Sequence, residues 1–149
     1  MRIIGLDYGS RTVGIALSDP TGRLAFPLET VTREEEVNLK ATVRRIRALC
    51  EEHDVHLVVL GNPIRMDGKS GPVAEKVKAF QKRLERDLYL VDVVLWDERL
   101  TTVQAERPLK DAGMDRIERK KVVDQMAAAI MLQAYLDVHG QEEAGNRGD

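Results

Sequence analysis

Three carboxylates interrupt apolar stretches of this chain, and they are where chemistry could reside. Asp7 ends the run Ile3 to Leu6, Glu98 follows the run Leu90 to Trp96, and Asp124 sits in a helical stretch whose i+3, i+4 and i+7 neighbours are Ala127, Ala128 and Met131. A carboxylate on a buried element loses hydration that it can recover only from hydrogen-bond donors, a cation or a metal ion. Three acids in one space repel each other, so they need raised pKa values or a shared positive charge. An all-oxygen set suits Mg²⁺ or Mn²⁺, and no Cys/His spacing for zinc is present. Two such ions about 3.5–4 Å apart are a common device for phosphodiester hydrolysis, one activating water and the other stabilising the leaving oxygen. Residue types alone leave an alternative open. Asp7 could be a turn aspartate bonded to its own loop, with Glu98 and Asp124 pairing merely with Arg99 and Lys121.

The elements that must position these acids follow from hydrophobic periodicity. Residues 2–18 read as two strands joined by a tight turn at Gly9 and Ser10, and Leu24 to Val31 as a third strand that Pro27 confines to an edge or a bulge. An antiparallel meander follows from three consecutive strands. Arg33 to His53 changes to helical spacing through Leu39, Val43, Ile46 and Cys50, with Glu34 to Glu36 at the favourable end of the dipole. The arginines Arg44, Arg45 and Arg47 read as a solvated face of that helix. His56 to Gly61 is a short continuous apolar run, as in a buried parallel strand. A helix with Val73, Val77, Phe80, Leu84 and Leu88 on one side leads to the strand Leu90 to Trp96, which implies a parallel pair with a right-handed crossover. Thr101 and Thr102 offer helix caps, and Pro108 shortens or kinks the helix they would start. A polar link from Asp115 to Lys121 precedes a last helix with Val123, Ala127, Ile130 and Ala134 on one face. Residues 1–139 form one domain in this reading, and residues 140–149 a frayed polar tail.

The totals exclude several classes. The 149 residues are 43% hydrophobic and 32% charged, which suits a soluble globular chain. No apolar stretch approaches a membrane span or the core of an export signal, and a single cysteine, Cys50, forms no internal bridge. These features predict a cytoplasmic protein with no membrane partner. A formal charge of −2 argues against binding nucleic acid through bulk electrostatics but leaves room for a local basic surface beside an acidic site. Candidate phosphate contacts are Arg11, Arg65, Lys69, Arg99 and Lys121, with Gly9, Gly68 and Gly71 shaping the turns. The segment ending Gly68, Lys69, Ser70 is not a nucleotide P-loop, because Pro63 stands where that motif needs a glycine. His53, His56 and His139 share no ligand spacing. Trp96 and Tyr8 read as core residues rather than base-stacking platforms.

Four stretches together resemble the YqgF/RuvX family: Asp7 to Ala16, the Gly61 to Gly71 loop, Asp97 to Thr102 with Ala105, and Asp124 to Gln133. The resemblance runs from Arg2 to about Asp137 with the motifs in family order. It implies an α/β, ribonuclease H-like fold, with a mixed five-stranded sheet, antiparallel in its first three strands and parallel in the remainder, and helices on both faces. It further implies a metal-dependent cytoplasmic bacterial nuclease that matures the 5′ end of precursor 16S rRNA, or alternatively resolves four-way DNA junctions as a homodimer. Asp7, Glu98 and Asp124 correspond to the family's acidic triad, which implies Mg²⁺ or Mn²⁺, as two ions. The chain departs from the family pattern at Asn62 and Ile64, where Leu-Pro-Leu is usual, and at Pro108. The hairpin from Asp7 to Leu17 also resembles the first phosphate motif of the actin and sugar-kinase superfamily, whose ATPases need a second lobe. A catalytically inert nucleic-acid-binding module is the remaining competitor.

Overall fold

β1 (Ile4–Tyr8) and β2 (Thr12–Ser18) pair antiparallel, with Asp7 opposite Gly14 and Tyr8 opposite Val13. The computed structural model of the protein describes residues 1–63, 71–98 and 115–147, with residues 140–147 as backbone alone. The turn between β1 and β2 is closed by the Gly9 amide donating to the Thr12 carbonyl at 2.7 Å. Arg33 braces it: Nη2 donates to the Gly9 carbonyl at 2.6 Å, and the guanidinium lies 4.8 Å over the Tyr8 ring.

β3 (Ala25–Thr32) adds antiparallel to β2 and forms one edge of a five-stranded sheet of order β3-β2-β1-β4-β5. Pro27 sits opposite Ala16, where the register shifts between Ile15 and Ala16. Its missing N–H thus falls both at an edge and at an irregularity, as the sequence required. β4 (Leu57–Asn62) is central and pairs parallel with β1 on one side and β5 (Asp92–Asp97) on the other. Strands covered on both faces read as continuous apolar runs, and Val58, Val59 and Leu60 are all fully buried.

One face of the sheet presents Ile4, Leu6, Val13, Ile15, Val58 and Leu60 to α1 (Lys40–His53) and α2 (Pro72–Asp87), which contribute Ile46, Leu49, Phe80 and Leu84. The other presents Ile3, Ala16, Val59 and Trp96 to α3 (Arg116–Arg147) through Ala128, Met131, Leu132 and Leu136. Trp96 is buried there with its ring edge-on to Tyr135 at 5.6 Å, and the Tyr8 ring packs tilted against Phe80 at 4.7 Å, so both are packed as expected. Cys50 is buried in the first core, and burial pushes its thiol up to about 11. Arg45 makes two hydrogen bonds to Glu29 on an exposed surface, in keeping with a solvated arginine face.

Several boundaries differ from the sequence reading, each for a local reason. α1 begins at Lys40 rather than Arg33, because Arg33 is tied to the β1–β2 turn and its amide bonds the Arg11 carbonyl. Glu34 to Glu36 therefore precede the helix and do not serve its dipole, and Glu36 pairs instead with Lys76 at 2.7 Å. Val73, in the first turn of α2, is exposed, and Ala74 takes the buried position. α3 starts at Arg116, not beyond Lys121, because Asp115 Oδ1 caps the Glu118 amide at 2.9 Å and the polar residues after it are good helix formers. Its buried face centres on Ala128, Met131 and Leu132, while Val123, Ile130 and Ala134 are only partly buried. The helical backbone continues to Arg147, through the stretch read as a frayed tail from residue 140. Among the described residues no helix is long and apolar enough to cross a membrane.

Candidate active site

Strand alternation sends Asp7 to the α3 side of the sheet, since its neighbours Leu6 and Tyr8 belong to the opposite core. Glu98 immediately follows β5 and folds back over β4 on that same side. The two carboxyls are hydrogen-bonded to each other. β4 lies between their strands, and the bridge across it is possible because residue 61 has no side chain. A Cβ on Gly61 would collide with Glu98 Oε1 and come within 2.7 Å of Met131 Sδ.

Asp124 arrives from α3. Close docking of that helix depends on Gly14, where an added Cβ would run into the Asp124 carbonyl, and at Gly5 a Cβ would stand 2.8 Å from Leu132 Cβ. The Asp124 side chain is 16% exposed, which leaves little water to stabilise its charge. Oδ2 accepts a hydrogen bond from Thr12 Oγ1 at 2.7 Å and lies 3.5 Å from Lys120 Nζ.

The electrostatics reflect this crowding. Burial first, then the Glu98 charge and the hydrogen bond to it, and then Asp124, push the Asp7 carboxyl up to about 8, with Lys120 opposing. Glu98 is also raised, by burial above all and further by Asp97, while the hydrogen bond from Asp7 works the other way. Both carboxyls are thus held above the ordinary carboxylate range, beside a third acid.

The structure therefore brings Asp7 and Glu98 into contact and sets Asp124 close enough for Asp7 to feel its charge. Among the described residues no three or more Asp, Glu, His or Cys side chains stand close enough together, as placed, to hold a metal ion. The donor set is nonetheless of the kind a hard divalent cation takes, carboxylate oxygens alone. Of the basic candidates, Arg11 and Lys121 are exposed, and Arg65, Lys69 and Arg99 lie outside the described residues, as do Gly68, Thr101, Thr102 and Pro108. Gly9 closes the β1–β2 turn and Gly71 precedes α2. Sequence reasoning passed over Arg116, Arg119 and Lys120, which line an open cavity of about 290 Å³ together with Val123 and Asp124. Their i, i+3, i+4 spacing was the available signal. A larger cavity of about 370 Å³ lies at the other end of the sheet, lined by Met1, Ile3, Leu57 and Tyr135 among others. None of its described lining residues is a carboxylate, and the chemistry lies elsewhere.

Comparison with known proteins assigns the family. The family model described as "RuvX: Holliday junction resolvase" matches residues 1–138. A protein of Lachnospira eligens named "Putative pre-16S rRNA nuclease" is 49% identical over 92% of this chain and 97% of its own length. One of the same name from Lactobacillus gasseri is 50% identical over 92% of this chain and 96% of its own. The chain belongs to the RuvX family. Among solved structures, Thermus thermophilus RuvC in complex with a Holliday junction substrate is similar with a TM-score of 0.55 at 17% identity, covering 93% of this chain and 95% of that one. Free T. thermophilus RuvC gives 0.53. At such identity the likeness speaks to the fold, and this RuvX-family chain has the ribonuclease H-like architecture that its sequence implied.

Proposed function

We propose that this protein is a divalent-cation-dependent endonuclease that matures precursor 16S rRNA in the cytoplasm. Membership of the RuvX family supports hydrolysis of nucleic acid, and the names of the relatives support an RNA substrate. The observation that carries the chemistry is the meeting of the Asp7 and Glu98 carboxyls across Gly61, with Asp124 close enough for its charge to act on Asp7.

In this reading Asp7, Glu98 and Asp124 are the catalytic residues and would hold Mg²⁺ or Mn²⁺, as two ions. When bound, such ions supply an activated water and neutralise charge on the phosphate undergoing substitution. The chain's own residues do the rest. Arg116, Arg119 and Lys120 draw the sugar–phosphate backbone toward the acids, and Arg11, Lys121, Arg65, Lys69 and Arg99 are proposed as further phosphate contacts. Gly61 lets Glu98 cross β4 and keep its place beside Asp7.

A second reading keeps the chemistry and changes the substrate to a four-way DNA junction, favoured by the description of the family model. Symmetric incision of two strands requires two active sites and hence a dimer. Incubating the protein with the 5′ region of precursor 16S rRNA and, separately, with junction DNA, in Mg²⁺ and in Mn²⁺, discriminates them. Cleavage of the RNA by a monomer supports the first reading. Paired nicks in the junction by a dimer, with the RNA left intact, would replace it with the second.

A further inference from the structure

We propose that Thr12 is a positioning residue for Asp124. Its hydroxyl engages Oδ2 and so leaves Oδ1 as the oxygen that Asp124 offers to a cation shared with Asp7 and Glu98. The use made of that cation rests on the nuclease reading, but its binding can be measured separately.

Thr12 is the first residue of β2, 8% exposed, and points to the α3 side like Gly14 two residues on. Its 2.7 Å bond to Asp124 joins residues 112 apart in sequence. A hydroxyl donating to a charged carboxylate out of water makes a stronger bond than a neutral pair. Threonine is stiff at χ1, so the donor's direction is fixed by the strand backbone. The acceptor is fixed as well: α3 approaches β2 so closely at Gly14 that no side chain fits beneath the Asp124 carbonyl. A carboxylate at the end of a helical side chain otherwise turns freely about its last torsion, which is broad and two-fold. Lys120 reaches the same Oδ2 from the solvent side, with 65% of its side chain exposed. Oδ2 is thus engaged from both directions, and no partner for Oδ1 is found among the described residues.

The same bond could serve only as a clasp between β2 and α3. A clasp would show in the stability of the cation-free protein and nowhere else. A positioning bond shows in the affinity for the cation, because partners that orient a ligand typically change metal affinity about 10–100-fold when removed.

The test uses the full chain with Thr12→Val, which keeps the shape and loses the donor, and Thr12→Ser, which keeps the donor. Mn²⁺ alone is titrated by calorimetry and by its effect on the thermal midpoint. Parent and Thr12→Ser should bind Mn²⁺ with affinities within about threefold of each other, while Thr12→Val binds about tenfold or more weakly. In cleavage assays Thr12→Val should recover rate as Mn²⁺ is raised, with KM for RNA unchanged. Equal Mn²⁺ affinity in parent and Thr12→Val overturns the proposal, as does a serine variant as weak as the valine one or a parent that binds no Mn²⁺. Failure of the nuclease reading looks different: the affinities order as proposed and none of the proteins cuts nucleic acid.

Discussion

Replacing Asp7 by asparagine should make the cation-free protein more stable while it destroys the site. In the folded chain the carboxyl is pushed up to about 8, by burial first and then by Glu98, from an ordinary value of 3.8 that the unfolded chain retains. Between those values the native state holds a proton that the unfolded chain has released. Stability therefore falls as pH rises through that window, and the penalty is complete only above about 8. At pH 7 the interval above 3.8 is about 3 pH units, and at about 1.4 kcal/mol per unit the upper limit is about 4 kcal/mol. Asparagine has the same shape and can still donate to Glu98, but Glu98 keeps its own raised carboxyl and part of the burden. A gain of about 1–3 kcal/mol is expected, which for a chain of this length is about 3–10 °C in Tm. Thermal unfolding of parent and Asp7→Asn in chelator, from pH 4 to pH 8, measures it. The difference should be near zero at pH 4 and grow toward pH 8. An asparagine variant no more stable than the parent at pH 7, or a gain that does not shrink in acid, would refute the crowded-carboxyl account.

Millimolar Mn²⁺ should reverse that order, raising the parent's Tm by binding the native state and leaving Asp7→Asn and Asp124→Asn unmoved; equal shifts in all three would place the cation elsewhere. Gly61→Ala drives a Cβ into Glu98 Oε1 and against Met131 Sδ, so cleavage should fall at least about 100-fold for a stability cost of about 1–3 kcal/mol, read by single-turnover kinetics beside denaturant unfolding. Lys120→Gln removes a cation that faces both Asp124 and the open cavity. RNA binding measured against salt should then lose about one unit of the log–log slope, and an unchanged slope would remove Lys120 from the phosphate path.

Much of this arrangement was legible in the sequence because apolar periodicity is strong where strands are covered on both sides. The Val58 to Leu60 run announced a central parallel strand, and Pro27 announced an edge. The three acids stood out because each breaks such a pattern. The small alanines Ala127 and Ala128 beside Asp124 marked a helix able to lie close against the sheet, and β2 carries the matching trace, since every second residue on that side, Thr12, Gly14, Ala16 and Ser18, is small. The α1 start was misplaced because the tie between Arg33 and the Gly9 turn is a tertiary contact that no local pattern encodes. The Asp115 cap was missed because Ile117 alone interrupts the charged residues from Arg116 to Lys121, so no apolar stripe marked the helix start. Thr12 carried no signal of its own, since its partner lies 112 residues away.

The central claim is that Asp7, Glu98 and Asp124 act as one cation-holding unit against a phosphodiester. Single-turnover cleavage of precursor 16S rRNA in Mg²⁺ by the parent, Asp7→Asn, Glu98→Gln and Asp124→Asn tests it most directly, with RNA affinity measured for each protein alongside. The account predicts that every variant loses at least about 1,000-fold in rate while binding RNA nearly as well as the parent. A carboxamide variant at any of the three positions that cuts as fast as the parent contradicts it.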